Sequence, residues 1–232
     1  MKYKEDCGAC GTALIYATED VPVKCNVCGN ESKTRIYCPQ GHYICDSCHR
    51  HKTIDIIKQI LSTTSSRSPF DIAELIMANT EVPMHGPEHH IIVPAVIITA
   101  AKNSGFNISD KAIEQAISRS SQIPGGRCGF FGNCGACVGV GIAVSIITQA
   151  TPLTGKERSL AMEATSRALA NICDNEPRCC KRAVRKALET AVQFLDEKLD
   201  IKLEEPDGIV CQYLKRNKEC SETACSYYPN TV

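Results

Sequence analysis

The sequence predicts a mainly α-helical protein, with a compact helical domain of about five to seven helices preceded by a small zinc-ribbon or treble-clef-like module. Three observations carry this. Residues 1–50 hold seven cysteines but few large apolar side chains, so a unit of that size needs staples in place of a core. From Thr53 onward apolar residues recur at helical spacing between capping residues, prolines and glycines. Sixteen cysteines in 232 residues require a disulfide framework or metal ligation. The opening MKYKEDCGACG shows no apolar run with a cleavage site, so the expected setting is a reducing cytoplasm, where thiolates hold metal. The organisation expected is a zinc-binding module over 1–52, a helical cysteine-rich domain over 53–203 and a cysteine-containing tail over 204–232.

In the module, Cys7-x2-Cys10 and Cys25-x2-Cys28 are fourteen residues apart, and glycine follows the second cysteine of each pair. A two-residue gap lets both thiolates face one ion, and glycine permits the tight turn behind them. Cys38-x3-His42-x2-Cys45-x2-Cys48 follows, giving eight ligands for two zinc ions. The ligands can pair sequentially, or cross between alternate pairs as in a RING-like brace; spacing leaves both open. The stretch CPQGHYICDSC looks like the central portion of RING or treble-clef fingers, but the last cysteine pair of a RING does not follow. Lys24, Lys33, Arg35, Arg50, His51 and Lys52 give a modest basic face for docking.

Ile54, Ile57, Ile60 and Leu61 start the helical pattern, and a Ser/Thr/Arg stretch over 62–68 interrupts it. Ser68-Pro69-Phe70-Asp71 combines an N-cap, proline at the first position and an early acid, predicting a helix to about Asn79. Glu88 to Ser104 predicts a helix ended by Gly105 and kinked at Pro94. Ser109 is expected to cap a helix through Ser118, with Ile113, Ala116 and Ile117 on one face. After the break at Pro124-Gly125-Gly126, a helix from Cys134 carries Gly135, Ala136, Gly139, Gly141 and Ala143, small residues suited to close central packing. Thr154-Gly155-Lys156-Glu157 reads as a capping box opening a helix to about Cys173. Pro177 is expected to start the last one, whose stripe runs Ala183, Val184, Ala187, Leu188, Ala191, Val192, Leu195, opposite a charged face.

No charge occurs between Arg127 and Lys156, but six glycines and Pro152 interrupt that interval, and its apolar helix falls short of the ~20 residues a bilayer needs. No membrane association is expected. Basic and acidic residues both number 26, so nothing steers nucleic acid to the chain as a whole. Walker, G-x-S-x-G and H-E-x-x-H motifs are missing from the sequence, which disfavours nucleotide hydrolysis, serine hydrolysis and metalloprotease chemistry.

The chemistry of the helical domain centres on PGGRCGFFGNCGAC, residues 124–137, where Cys128, Cys134 and Cys137 sit in a glycine-rich loop leading into a helix. Free amides and the positive helix end favour thiolates there, and the same argument lowers the pKa expected for Cys179 and Cys180 at the next helix start. Cys173 lies just before. His85-Gly86-Pro87-Glu88-His89-His90 gathers three of the six histidines, where imidazole can ligate metal or exchange protons. Arg127 can offset cluster charge or bind an anionic substrate. In the tail, Cys211-x8-Cys220-x4-Cys225 offers three ligands, leaving one position to be filled from elsewhere; otherwise Cys211 packs beside Leu214 as a small hydrophobe.

Cys134-Gly135-Ala136-x-x-Gly139 after a Gly-Gly loop, then Cys173, then Cys179 or Cys180 heading Arg182-Ala183-Val184, resembles the C-GCAxxG-C-C family of redox-active proteins over about residues 85–200. The resemblance implies a helical protein that binds an iron–sulfur cluster or works through redox thiols. With its knuckles and Cys-Ser-Tyr-Tyr-Pro ending, the chain is also similar to an uncharacterised cysteine-rich family of anaerobic archaea and bacteria.

The expected function is therefore a metal-thiolate protein with a redox or sulfur-handling role. Its cofactors would be structural zinc and a 4Fe-4S cluster held by the three loop cysteines plus Cys173, Cys179 or Cys180. Candidate reactive residues are His85, Arg127 and Cys180; candidate cofactor ligands are Cys128, Cys134, Cys137, Cys173, Cys179, Cys211, Cys220, Cys225 and His89. An electron-transfer or enzyme partner protein is expected, and a homo-oligomer is compatible. The alternatives are a non-enzymatic zinc-finger adaptor docking an enzyme and a zinc-dependent nucleic-acid binder.

Overall fold

The computed structural model describes residues 6, 7 and 10–229, with the side chains of residues 49–52 left aside. It divides into two compact units, Met1–Lys52 and Thr53–Val232. In the first, β1 (Ile15–Lys24) and β2 (Glu31–Tyr37) pair antiparallel from Ile15↔Tyr37 to Lys24↔Glu31, with an irregularity between Tyr16 and Val21. Helix α1 (Asp46–Thr63) begins in this unit. Among its described residues the buried side chains are Cys7, Cys25 and Cys38, so sulfur stands where a larger domain has its aliphatic core. Gly11 and Gly29, each following a knuckle, have φ of 69° and 75°. That region is open to glycine at no cost.

The second unit is helical: the rest of α1, then α2 (Pro69–Ala78), α3 (Glu88–Asn103), α4 (Ala112–Ser120), the single turn α5 (Arg127–Phe130), α6 (Gly135–Ile147), α7 (Gly155–Asn171) and α8 (Cys180–Leu199). An irregular tail follows, with two 3-10 turns at Leu214–Arg216 and Glu222–Ala224. Ser68 caps α2 as expected, its hydroxyl accepting from the Asp71 amide at 3.2 Å. Helix α3 is central. Every residue from Glu88 to Ala101 is buried, which its nearly all-round apolar sequence permits, and α2, α4, α6 and α8 pack on it.

The small residues of α6 do what their sizes suggest. A methyl group on Gly135 would run into the His90 ring, one on Gly139 would lie 2.8 Å from Pro94 Cδ, and one on Gly141 would meet Thr165 and stand 2.7 Å from the Ala161 carbonyl. Glycine thus brings α6 onto α3 on one side and α7 on the other. The helix is continuous across Pro94, and the His90 carbonyl at that turn faces Gly139.

Three boundary expectations are corrected. Helix α4 begins at Ala112 because Ser109 closes a preceding turn, accepting from the Lys111 and Ala112 amides. The capping box at Thr154 does not form: its hydroxyl is held in the turn before, accepting from Thr151 N at 2.7 Å and donating to Thr151 O at 3.0 Å. Helix α8 starts at Cys180, not Pro177, with Cys179 as its N-cap. No helix is long and apolar enough to cross a membrane among the described residues.

Candidate metal centres

All sixteen cysteines are free thiols, seven in the hairpin unit and nine in the helical unit. In the hairpin unit eight ligand atoms assemble into two sets, Cys7/Cys10/Cys38/His42 and Cys25/Cys28/Cys45/Cys48, each with its atoms within 4.8 Å of one another. The pairing is crossed: the first knuckle joins the third and the second joins the fourth. Antiparallel return of β2 along β1 carries Cys38 back beside the first knuckle, while the β-turn bearing Cys25 and Cys28 meets the start of α1. Sulfur separations are 3.6 Å for Cys10–Cys38 and 3.7 Å for Cys28–Cys45, and His42 Nδ1 is 3.8 Å from Cys38 Sγ. A tetrahedral ion with metal–sulfur bonds of ~2.3 Å holds its thiolates about 3.8 Å apart, so the two sets are the size of one ion each.

The backbone already solvates these sulfurs as anions. The Cys45 amide donates to Cys25 Sγ at 3.3 Å and the Gln40 amide to Cys38 Sγ at 3.4 Å. Cys25 is thereby lowered to about 6, and Cys10 to about 6 through its contact with Thr12. Burial pushes Cys38 up, and Cys48, sharing its proton with Cys28, rises to about 12. A divalent cation is what would let the three sulfurs of the first set, or the four of the second, ionise together.

In the helical unit the nine thiols do not form one group. Cys128, on α5, is exposed, and Arg127 beside it lies over the Phe131 ring at 4.0 Å. Cys134 is the N-cap of α6 and is lowered to about 7, chiefly by a hydrogen bond from Cys137. Cys137 is fully buried and pushed up by that same bond; its sulfur lies 3.3 Å from the Ala168 carbonyl. The Cys173 thiol donates to Leu169 O at 3.2 Å. At the start of α8 the neighbours diverge. Cys180 is felt by Cys128 and Cys134, whereas Cys179 is felt by Cys211 and Cys225 of the tail. The expectation that the helix start would lower both thiols is corrected: burial dominates, raising Cys179 and taking Cys180 to about 12.

Cys179, Cys211, Cys220 and Cys225 line one cavity together with Arg182, Arg185, Tyr213 and Tyr228. Each of three sulfurs accepts one amide: Cys179 from Arg182, Cys211 from Tyr213 and Cys220 from Glu222, all at 3.4 Å. The tail is bound down by Tyr213 Oη donating to Glu74 at 3.2 Å and Arg182 donating to Ser221 Oγ at 2.9 Å, and within it Cys211 N donates to Tyr227 O at 2.7 Å.

The histidines lie deep. His85 Nε2 is 3.3 Å from Asn217 Oδ1 and 3.9 Å from Glu219, and burial, followed by Arg178, lowers it to about 4. His89 is buried; its Nδ1 donates to Gly86 O at 3.1 Å, its Nε2 has no hydrogen-bond partner among the described residues, and burial holds it well below the usual histidine range. His90 reaches Ile123 O at 3.1 Å.

Sequence reasoning missed the cations beneath the tail. Lys181, Arg182 and Arg185 of α8, a helix whose face opposite the stripe is expected to be charged and outward, are buried. Arg185 makes a bidentate pair with Glu74 at 2.6 and 2.9 Å, and Lys181 donates to Met77 O at 2.9 Å and lies over the Tyr213 ring at 4.4 Å. The only signal was indirect: the tail places two tyrosines after its last cysteine.

A family model described as a family of unknown function (DUF5714) matches residues 57–228, that is, the helical unit and the tail. No curated protein and no solved structure matches the chain.

Proposed function

The chain belongs to DUF5714, a family of unknown function, and we propose from its own chemistry that it is a metal-thiolate protein in which two zinc ions fold the hairpin unit and the helical unit holds an iron–sulfur centre with a redox or sulfur-handling role. The observation that carries this is the start of α8, where Cys179 lines one cavity with Cys211, Cys220 and Cys225 of the tail beside buried guanidinium groups, all four as free cysteines. Soft thiolates in numbers suit zinc and iron–sulfur clusters above other groups. When bound, a cluster supplies single-electron transfer at a potential tuned by hydrogen bonds to its sulfurs. The protein supplies the amide donors, the cations and the exclusion of water. Unpaired thiols in this number belong to a reducing compartment, the cytoplasm of an anaerobe, and an electron-transfer or enzyme partner would exchange electrons with the centre. The likeness of the Cys134 loop to the C-GCAxxG-C-C family agrees with a redox role.

Anaerobic purification of the full chain, with metal and sulfide analysis and an absorption spectrum, tests the reading. Zinc together with iron, sulfide and a broad visible band is the expected result; zinc alone refutes the redox role. That second outcome would favour the adaptor reading, for which the specific observation is an open, mainly apolar groove of about 860 Å³ lined by Val138, Ile142, Met162 and Leu169 of α6 and α7.

A further inference from the structure

The geometry points to Cys179, Cys211, Cys220 and Cys225 as the four protein ligands of a single four-iron cluster, one ligand from the cap of α8 and three from the tail. This deepens the proposed iron–sulfur reading and rests on it. It also moves the site away from the glycine-rich loop, where spacing alone had placed it.

Four observations combine. First, these four residues, 46 positions apart at the extremes, line one cavity, and all four side chains are neither fully buried nor fully exposed. Second, three of the four sulfurs accept an amide from two or three residues further on. The same i+2 arrangement holds Cys38 in the hairpin unit, where the ligand set is evident from its geometry. Third, the set is wider than a site for one ion. Among the described residues the groups of three or more ligand atoms within 4.8 Å are the two hairpin sets, and no three of these four sulfurs form another. Several irons and sulfides require that extra width. Fourth, Arg182 and Arg185 line the same cavity while buried, each held by a carboxylate (Asp174 and Glu74), so that guanidinium groups border the sulfurs.

Of the loop cysteines Cys134 has amide donors of the same kind, at Ala136 and Cys137, but its loop neighbours are placed differently. Cys137 and Cys173 each lie within hydrogen-bond distance of a backbone carbonyl, at Ala168 and Leu169, and Cys128 is exposed. With four protein thiolates in place, no iron is left open for a substrate. The centre then relays electrons: one electron enters from a reduced one-electron donor protein and one leaves to an oxidised acceptor, with no bond to the cluster made or broken.

The test uses the full chain, reconstituted anaerobically with ferrous iron and sulfide. Cys179→Ala, Cys211→Ala, Cys220→Ala and Cys225→Ala should each lose the visible band and the bound iron, while zinc content and helical circular dichroism stay at wild-type levels. A triple Cys128→Ala/Cys134→Ala/Cys137→Ala variant should keep both band and iron. A second measurement needs no variant: on loading, maleimide labelling mapped by mass spectrometry should be lost at Cys179, Cys211, Cys220 and Cys225 together and persist at Cys128. A cluster that survives the four single substitutions but vanishes in the triple variant, or protection that falls on the loop cysteines, overturns this assignment and leaves the iron–sulfur reading standing. A wild-type chain that takes up no iron and sulfide overturns that reading itself.

Discussion

Replacing Glu74 by Ala removes the carboxylate that Arg185 grips with two charge-assisted hydrogen bonds of 2.6 and 2.9 Å across α2 and α8. The Arg185 side chain is 2% exposed and that of Glu74 28%. Breaking a fully buried pair by deleting one partner costs ~3–5 kcal/mol, because the other charge stays out of water unpaired. Partial hydration of Glu74 places this pair at the low end, and the hydrogen bond from Tyr213 Oη at 3.2 Å is lost with it. The expected destabilisation is about 3 kcal/mol, which in a unit of this size lowers Tm by about 6–12 °C. Arg185→Met should cost less, about 1–2 kcal/mol, because the carboxylate left behind reaches solvent and keeps Tyr213. Urea unfolding followed by circular dichroism, on metal-loaded chains of wild type, the two single variants and the double variant, gives the four stabilities needed. The double variant should regain about 2 kcal/mol over the sum of the singles. Strict additivity would refute the claim that this pair joins the two helices as a unit.

The remaining predictions concern proton binding and packing. His85 titrates near 6.5 when unfolded and at about 4 in the fold, so the folded state binds fewer protons across that window. Its contribution is complete above about pH 6.5 and is lost as pH falls through 4, amounting to about 3 kcal/mol. The unfolding free energy of wild type minus that of His85→Gln should therefore shrink by up to that amount between pH 7 and pH 4, and a flat difference would count against a buried neutral imidazole. Gly139→Ala and Gly155→Ala should have opposite signs. The first sets a methyl 2.8 Å from Pro94 Cδ, overpacking by ~1–3 kcal/mol against a propensity gain of ~1 kcal/mol; the second meets nothing within 4 Å and keeps the gain. Thermal melts of the two variants decide it.

What was legible in the sequence was local. Cys7-x2-Cys10 and its fellows are read within a few residues, because the ligand spacing is itself the backbone turn, and Gly11 and Gly29 have the positive φ that turn requires. Which knuckle joins which depends on where β2 returns along β1, a relation that no single motif contains. The same division runs through the helices. Ser68-Pro69-Phe70-Asp71 capped α2 as written, yet Thr154 failed at its capping box because the adjoining Thr151 backbone claimed the same hydroxyl. Two local patterns competed for one side chain, and the tighter turn took it. The buried cations of α8 are the extreme case, since Arg185 is paired with Glu74, 111 positions back, and has Tyr213 and Tyr227 of the tail at 5.5 and 5.0 Å from its guanidinium.

The two thiol populations stand in different relations to folding. Among the described residues of the hairpin unit the buried side chains are cysteines, so ion binding at its two candidate sites would be coupled to its folding. The helical unit already has an aliphatic core, built on α3 and closed by Phe70, Ile76, Leu188 and Phe194, to which its nine sulfurs add little. The proposed centre would therefore gain or lose an electron while the helices around it keep their packing. The irregular tail, by contrast, has few apolar anchors, and two of its three cysteines, Cys220 and Cys225, lie between Tyr213 and Tyr227, the two residues that fasten it to Glu74 and Glu189. The proposed centre, ligated there, would close the tail over α8, so that its assembly and the ordering of the last segment would become a single event.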